Sequence, residues 1–176
     1  MEGEKICFYA KKDKYGEFSN FYQLKEPLVV NNIKYPTTEH LFQASKFDDI
    51  EYKKLIASFS SPAKSFILGK QKIVSGLTWR TDMNEHIIDA LNRGVKIKSN
   101  WEEIKVGVMM NILRLKFNQD LHCKKVLLST DNLEIVENTH RDSFWGNGGT
   151  KNNGKNMLGK CLMNLREEIR EEQNNI

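Results

Sequence analysis

Glu39, Gln43 and Lys46 stand at positions i, i+4 and i+7, a spacing that lines a carboxylate, an amide and an amine along one face of a helix. Such a trio can shuttle a proton, hold a polar ligand and supply a nucleophile. An ordinary solvated helix face has the same composition, so spacing alone leaves both readings open. Phe42 flanks the stripe, and an apolar neighbour desolvates an amine and lowers its pKa towards the nucleophilic range. The helix is predicted over residues 38–47, with Leu41, Ala44 and Phe47 pointing elsewhere as anchors.

A second chemically suggestive stretch is Asp142-Ser-Phe-Trp-Gly-Asn-Gly-Gly149, continuing to Gly154-Lys-Asn156. Its Gly149-x-x-x-x-Gly154-Lys155 matches part of a Walker loop, but Asn156 replaces the Ser or Thr that would hold magnesium. A glycine- and aromatic-rich loop also precedes it where a buried strand should stand, so an NTPase is rejected. Glycine-rich backbone ahead of a helix still offers N–H groups to a phosphate. Trp145, set among glycines, is either a core aromatic or a plate on which a flat base stacks. A third polar, aromatic segment is Tyr15-Gly-Glu-Phe-Ser-Asn-Phe21. His40, His86, His122 and His140 lack metal-ligand spacing, and no Gly-x-Ser-x-Gly elbow is present; no metal and no cofactor are expected.

These segments need a scaffold, and 176 residues suit one domain with its own core. No apolar run is long enough to span a membrane. The charged start, Met1-Glu-Gly-Glu-Lys5, has no signal-peptide character. Cys7, Cys123 and Cys161 are odd in number and widely spaced, which fits free thiols in a cytoplasmic protein. The net charge of +4 comes from 27 basic and 23 acidic residues interleaved along the chain. A DNA-coating protein usually carries a clustered basic stripe; here a plain solvated surface or an anionic small molecule suffices.

The scaffold reads as mainly α with a few short strands. Residues 6–9 and 133–136 are strand-like, and Asn31-Asn32 between Leu28-Val-Val30 and Ile33-Lys-Tyr35 predicts a tight hairpin. Thr37 is the predicted N-cap of the Glu39 helix. Ser61-Pro62 opens another helix that Gly69 ends, and Asp82-x-x-Glu85 opens one that Gly94 stops. From Ser99-x-x-Glu102, the apolar positions Trp101, Ile104, Val108, Ile112 and Leu115 predict a long helix to about Phe117. Residues 121–129 are helical, and the last helix buries Leu158, Leu162, Leu165 and Ile169. Its charge run from Arg166 onward is expected to be a solvated face.

The motifs also carry a resemblance. Phe8-Tyr9, Tyr15-Gly-x-Phe-Ser-Asn-Phe21, Thr38-Glu-His-x-x-Gln-Ala-x-Lys-Phe47, Asn100-Trp101 and Val136-Glu-x-Thr-x-x-Asp-x-x-Trp-Gly-x-Gly-Gly149 resemble the YbiA-like (NADAR) family. So does Gly154-Lys-Asn-x-Leu-Gly-x-x-Leu-Met163-x-x-Arg166. The resemblance runs over nearly the whole chain, and residues 76–95 look inserted relative to compact members. It implies a single, mainly helical YbiA-like domain over residues 1–176 with no metal. It also implies an N-glycosidase acting on ribosylamine phosphates of riboflavin biosynthesis, or removing ADP-ribose from guanine, within nucleic acid or free. Carried over by motif, Glu39 and Lys46 would be the reacting pair. Trp101, Asp142 and Trp145 would shape the pocket, with Asp142 near the developing charge. Gln43 would contact substrate, and Ser19, Asn20, Gly148 and Asn156 would be ligands for ribose and phosphate.

Two chemistries fit these residues. In one, Lys46 attacks C1′ of a ring-opened ribosylamine and forms a Schiff base while Glu39 shuttles protons. In the other, Glu39 activates water against an oxocarbenium-like centre that Asp142 stabilises. Two readings without catalysis are a module that senses ADP-ribose or a related nucleotide, and a nucleic-acid protein whose aromatics stack bases. Oligomeric state is not legible.

Overall fold

The computed structural model describes residues 4–76, 78–151 and 153–175. The chain divides into two compact units, one holding Gln23–Val108 and the other Met1–Tyr22 together with Met109–Ile176. The architecture is mainly helical with few short strands. No helix among the described residues is long and apolar enough to cross a membrane.

The unit Gln23–Val108 carries a hairpin whose two strands, Leu28–Val30 and Ile33–Tyr35, pair antiparallel. Asn31 and Asn32 both take positive φ (51° and 61°), the pair of left-handed residues that a two-residue turn of matching twist requires. Helix α1, Thr38–Ala44, follows. Thr37 caps it through Oγ1, which accepts from the His40 N–H. The His40 ring is sealed by Thr37 Oγ1 on Nδ1 and by the Phe59 carbonyl on Nε2, both at 2.8 Å. Because that carbonyl only accepts, Nε2 carries the proton, and burial holds the ring's pKa below its usual value.

Every residue of α1 is buried, so it is not the half-solvated helix its composition suggested. Around it pack α2 (Ile50–Ser58, capped by Asp49 on Tyr52 N–H at 2.6 Å) and α3 (Pro62–Lys70). Tyr52 ties these together: its ring meets Phe47 edge-on at 4.8 Å and its hydroxyl donates to Leu68 O at 2.9 Å. Three sequence expectations need correction here. Ser61 makes no side-chain cap on α3, and that helix runs through Gly69 to a left-handed Gln71. Asp82 does not cap α5 (Asn84–Asn92), which starts behind Met83 and stops before Gly94 at φ 78°. Between α3 and α5 lies the short α4, Thr78–Thr81; residue 77 of the inserted-looking stretch is outside the described residues.

Helix α6, Trp101–Gln119, begins in this unit and ends in the other. The predicted stripe is right at Trp101 and Ile112 and wrong at Leu115, which is exposed. Lys116 is fully buried instead, because backbone carbonyls await its ammonium, as described below.

In the second unit, Lys5–Phe8 pairs in parallel with Glu134–Glu137, and a 3-10 turn at Gly16–Phe18 follows the first strand. Asp120 caps α7, Leu121–Leu128, through the N–H groups of His122 and Cys123. In α8, Met157–Asn174, the face Leu158, Leu162, Leu165 and Ile169 is buried as its spacing requires. Arg166 departs from the expected solvated run: it is buried and donates to Thr130 Oγ1 and Leu133 O at 2.8 and 3.0 Å. A guanidinium is tolerated there because those acceptors replace its water.

Candidate active site

In the unit Gln23–Val108, Glu39, Gln43, Lys46 and Trp101 come together. Glu39 is 6% exposed and Gln43 3%. Gln43 Nε2 donates to Glu39 Oε1 at 2.7 Å, one helical turn apart. Such a contact orients one carboxylate oxygen. Gln43 Oε1 is buried without a hydrogen-bond partner among the described residues, an acceptor left open at a place where an unmade bond costs about 1–3 kcal/mol.

Lys46 lies just beyond α1, not on it. Ser45 Oγ donates back to Leu41 O at 2.7 Å, and Lys46 N–H reaches Gln43 O at 3.3 Å, which tightens the exit from the helix. The Lys46 carbonyl is pinned by Lys98 N–H at 2.8 Å. Its Nζ donates to Gly69 O at 3.2 Å and sits 5.9 and 5.8 Å from the ring centroids of Phe42 and Trp101. Those rings pack on each other at 5.2 Å. Burial pushes the amine from 10.5 down to about 8; Lys70 and Lys105 add to the shift, while the Glu39 and Glu102 carboxylates oppose it. The downward direction is the one that an apolar Phe42 beside the amine predicts. Gly69 reads in the sequence as a helix stop, yet the left-handed residue that ends α3 is Gln71, two positions later.

The other unit holds the remaining residues in two places. On the aromatic loop, Ser19 Oγ accepts from Phe21 N–H at 3.2 Å, and half-buried Asn20 places Nδ2 3.6 Å from Met109 Sδ. Lys116 holds this loop from beneath: its Nζ donates to the carbonyls of Glu17 and Ser19 and lies 5.4 Å from the Tyr22 ring centroid. Full burial pushes that amine to about 8 as well, against Cys123, Asp120 and Glu17.

On the glycine-rich segment, Asp142 Oδ1 accepts from the N–H groups of Phe144 and Trp145 at 2.8 and 2.7 Å, a local turn. Trp145 is half-buried and meets Phe144 edge-on at 5.0 Å. Gly148 turns the chain at φ 74°, where a side chain would be strained and would meet Asn153 Oδ1 at 2.6 Å. Asn156 spends its amide on backbone: Oδ1 accepts from Glu137 N–H at 3.0 Å and Nδ2 donates to Ile135 O at 2.9 Å. Its place is therefore a clamp on the strand Glu134–Glu137.

A mainly helical chain with a buried carboxylate–amide–lysine corner and a glycine–tryptophan loop defines a recognisable class. The NADAR domain matches residues 7–170, and the chain belongs to the NADAR family. It is 37% identical over 169 residues to "N-glycosidase YbiA" of Escherichia coli (strain K12), covering 96% of this chain and 91% of the relative. It is 32% identical over 166 residues to "Riboflavin biosynthesis protein VVA0006" of Vibrio vulnificus (strain YJ016), covering 94% of this chain and 39% of that one. The NMR structure of the E. coli protein YbiA superposes with a TM-score of 0.76 at 35% identity, covering 100% of this chain and 90% of that one.

Proposed function

We propose that this chain is an N-glycosidase that cleaves the bond between a base amine and C1′ of ribose phosphate or ADP-ribose. Lys46 is the nucleophile and Glu39 the proton shuttle. The observation that carries the reading is Lys46, a lysine held at about 8 beside a buried carboxylate. At pH 7 such an amine is roughly one-tenth neutral, against about 0.03% at 10.5. The names of the relatives, an N-glycosidase and a riboflavin biosynthesis protein, support a ribosylamine phosphate as substrate; ADP-ribosylated guanine shares the same bond type.

In the proposed sequence the C1′–O4′ bond breaks, O4′ takes a proton carried by Glu39, and the base nitrogen forms a double bond to C1′. Neutral Lys46 Nζ adds its lone pair to C1′. Its extra proton passes through Glu39 to the base nitrogen, the C1′–N bond breaks and the amine departs. A Lys46–C1′ Schiff base remains. Water adds to C1′ with Glu39 taking its proton, and Lys46 leaves, releasing the sugar as an aldehyde. Proton transfers of this kind are worth typically 10²–10⁴-fold.

The test offers a ribosylamine phosphate of riboflavin synthesis and ADP-ribosylated guanosine side by side, with released sugar read by mass spectrometry. Sodium borohydride is added during turnover. Release of sugar with a trapped adduct on Lys46 is expected. Release without an adduct would leave the glycosidase and remove the lysine route; no release from either substrate would remove both.

A further inference from the structure

Resting on that reading of Glu39 and Lys46, we propose that Gly69 is a positioning residue for the Glu39–Gln43–Lys46 group. Its bare Cα is the surface against which the Gln43 side chain lies, and its carbonyl is the oxygen that orients the Lys46 amine.

Gly69 sits inside α3, where glycine is the poorest helix former after proline. It is not among the positive-φ residues, so conformational freedom does not explain it. Space does. A Cβ at this position would overlap Gln43 Oε1 and stand 2.7 and 2.8 Å from Gln43 Cδ and Cβ. The far end of the glutamine can swing, but its Cβ is fixed to α1, so added bulk must displace the amide or push the two helices apart. Displacing the amide breaks its 2.7 Å bond to Glu39. Pushing the helices apart lengthens the 3.2 Å bond from Lys46 to the Gly69 carbonyl.

That carbonyl belongs to the last turn of α3, where the i+4 donors run out; Leu68 O still accepts from the Gln71 N–H at 3.1 Å. Leu68 O also accepts from Tyr52; Gly69 O is taken by Lys46. A neutral amine that spends one N–H on this oxygen directs its lone pair off that axis. The charges facing the amine come from Glu39 on α1, Lys70 on α3, and Glu102 and Lys105 on α6. All would see their distances change if α3 shifted.

The experiment compares Gly69→Ala, Gln43→Gly and the double variant. Gly69→Ala is expected to lower kcat about ten- to a hundredfold, the scale of a small misplacement, with KM within threefold. The acid limb of its pH–rate profile should move from about 8 towards 10.5. Gln43→Gly removes every Gln43 atom that the new Cβ would meet, so adding Gly69→Ala to it should change kcat less than twofold and leave melting unchanged or higher. Additive losses in kcat and melting, or wild-type kcat for Gly69→Ala, would overturn the proposal. If Gly69→Ala does not fold, folding of the double variant supports the contact and its failure to fold overturns it. Should wild type release no sugar, the glycosidase reading falls, while the melting cycle still decides whether Gly69 seats Gln43.

Discussion

Lys46 and Lys116 are both amines that burial drives to about 8, yet their surroundings differ in kind. Lys116 is sealed on the buried face of α6, with two loop carbonyls as acceptors and the rings of Tyr22 and Phe117 over it. Lys46 keeps part of its surface exposed, makes one bond to a helix-end carbonyl, and has a buried carboxylate among its charged neighbours. A lowered pKa therefore marks the cost of burying charge; since Lys116 also has Asp120 and Glu17 near it, access is what would separate a reagent from a post. The same contrast separates Gln43, whose Oε1 has no hydrogen-bond partner among the described residues, from Asn156, whose amide is occupied on both sides by backbone.

The strongest way to break this comparison is Lys46→Arg. It keeps a cation but cannot form a Schiff base, so near-complete loss of turnover is expected while folding persists. Retained turnover would reduce Lys46 to a phosphate contact. Trapping by borohydride on Lys116 instead would invert the comparison.

Glu39→Gln follows, with a rate at least about 10²-fold lower and substrate binding kept, measured as kcat against a calorimetric Kd. A rate within threefold of wild type would remove the proton shuttle. In wild type, kcat/KM should rise with pH to a plateau above about 8, as the neutral Lys46 becomes populated.

Trp145→Ala tests the glycine-rich segment. Loss of a stacking plate should weaken binding by about 1–3 kcal/mol, with Phe recovering much of it. Unchanged Kd and unchanged melting would remove the plate. Asp142→Asn is the companion: an amide oxygen can still accept from Phe144 and Trp145, so the turn survives and any fall in kcat reports the lost charge.

The smallest effect concerns the post. Lys116→Met leaves the Glu17 and Ser19 carbonyls without their donor, a loss of about 1–3 kcal/mol in denaturant titrations, with kcat per folded molecule far less affected than by Lys46→Arg. There is a pH signature too. Folded Lys116 releases its proton near 8 while the unfolded chain holds it to 10.5, so wild-type stability should rise with pH from 8 to 9. Above that, Cys161 and Cys123, raised to about 11 and 12, oppose the trend. Lys46, also held near 8, contributes a like slope, so Lys116→Met should roughly halve the rise; an unchanged slope would show that Lys116 contributes none of it.

Local features of this protein were legible without coordinates because their causes are local. Thr37 before Thr38-Glu39, the Asn31-Asn32 pair, and Leu158, Leu162, Leu165 and Ile169 at helical spacing each carry their reason within a few residues. Glu39, Gln43 and Lys46 were readable as a group for the same reason, as was the family resemblance in the ordered motifs. What only tertiary structure decided depends on partners far along the chain. Lys5–Phe8 pairs with Glu134–Glu137 across more than a hundred residues. Lys116 displaces Leu115 from the interior because carbonyls of the Gly16–Phe18 region and Ser19 need a donor. Arg166 leaves its charge run for Thr130 and Leu133. Gly69 reads as a helix stop until Gln43 is laid against it. In each case a buried polar group or a missing side chain is explained by an atom that periodicity and capping rules, which reach only one helical turn, do not see.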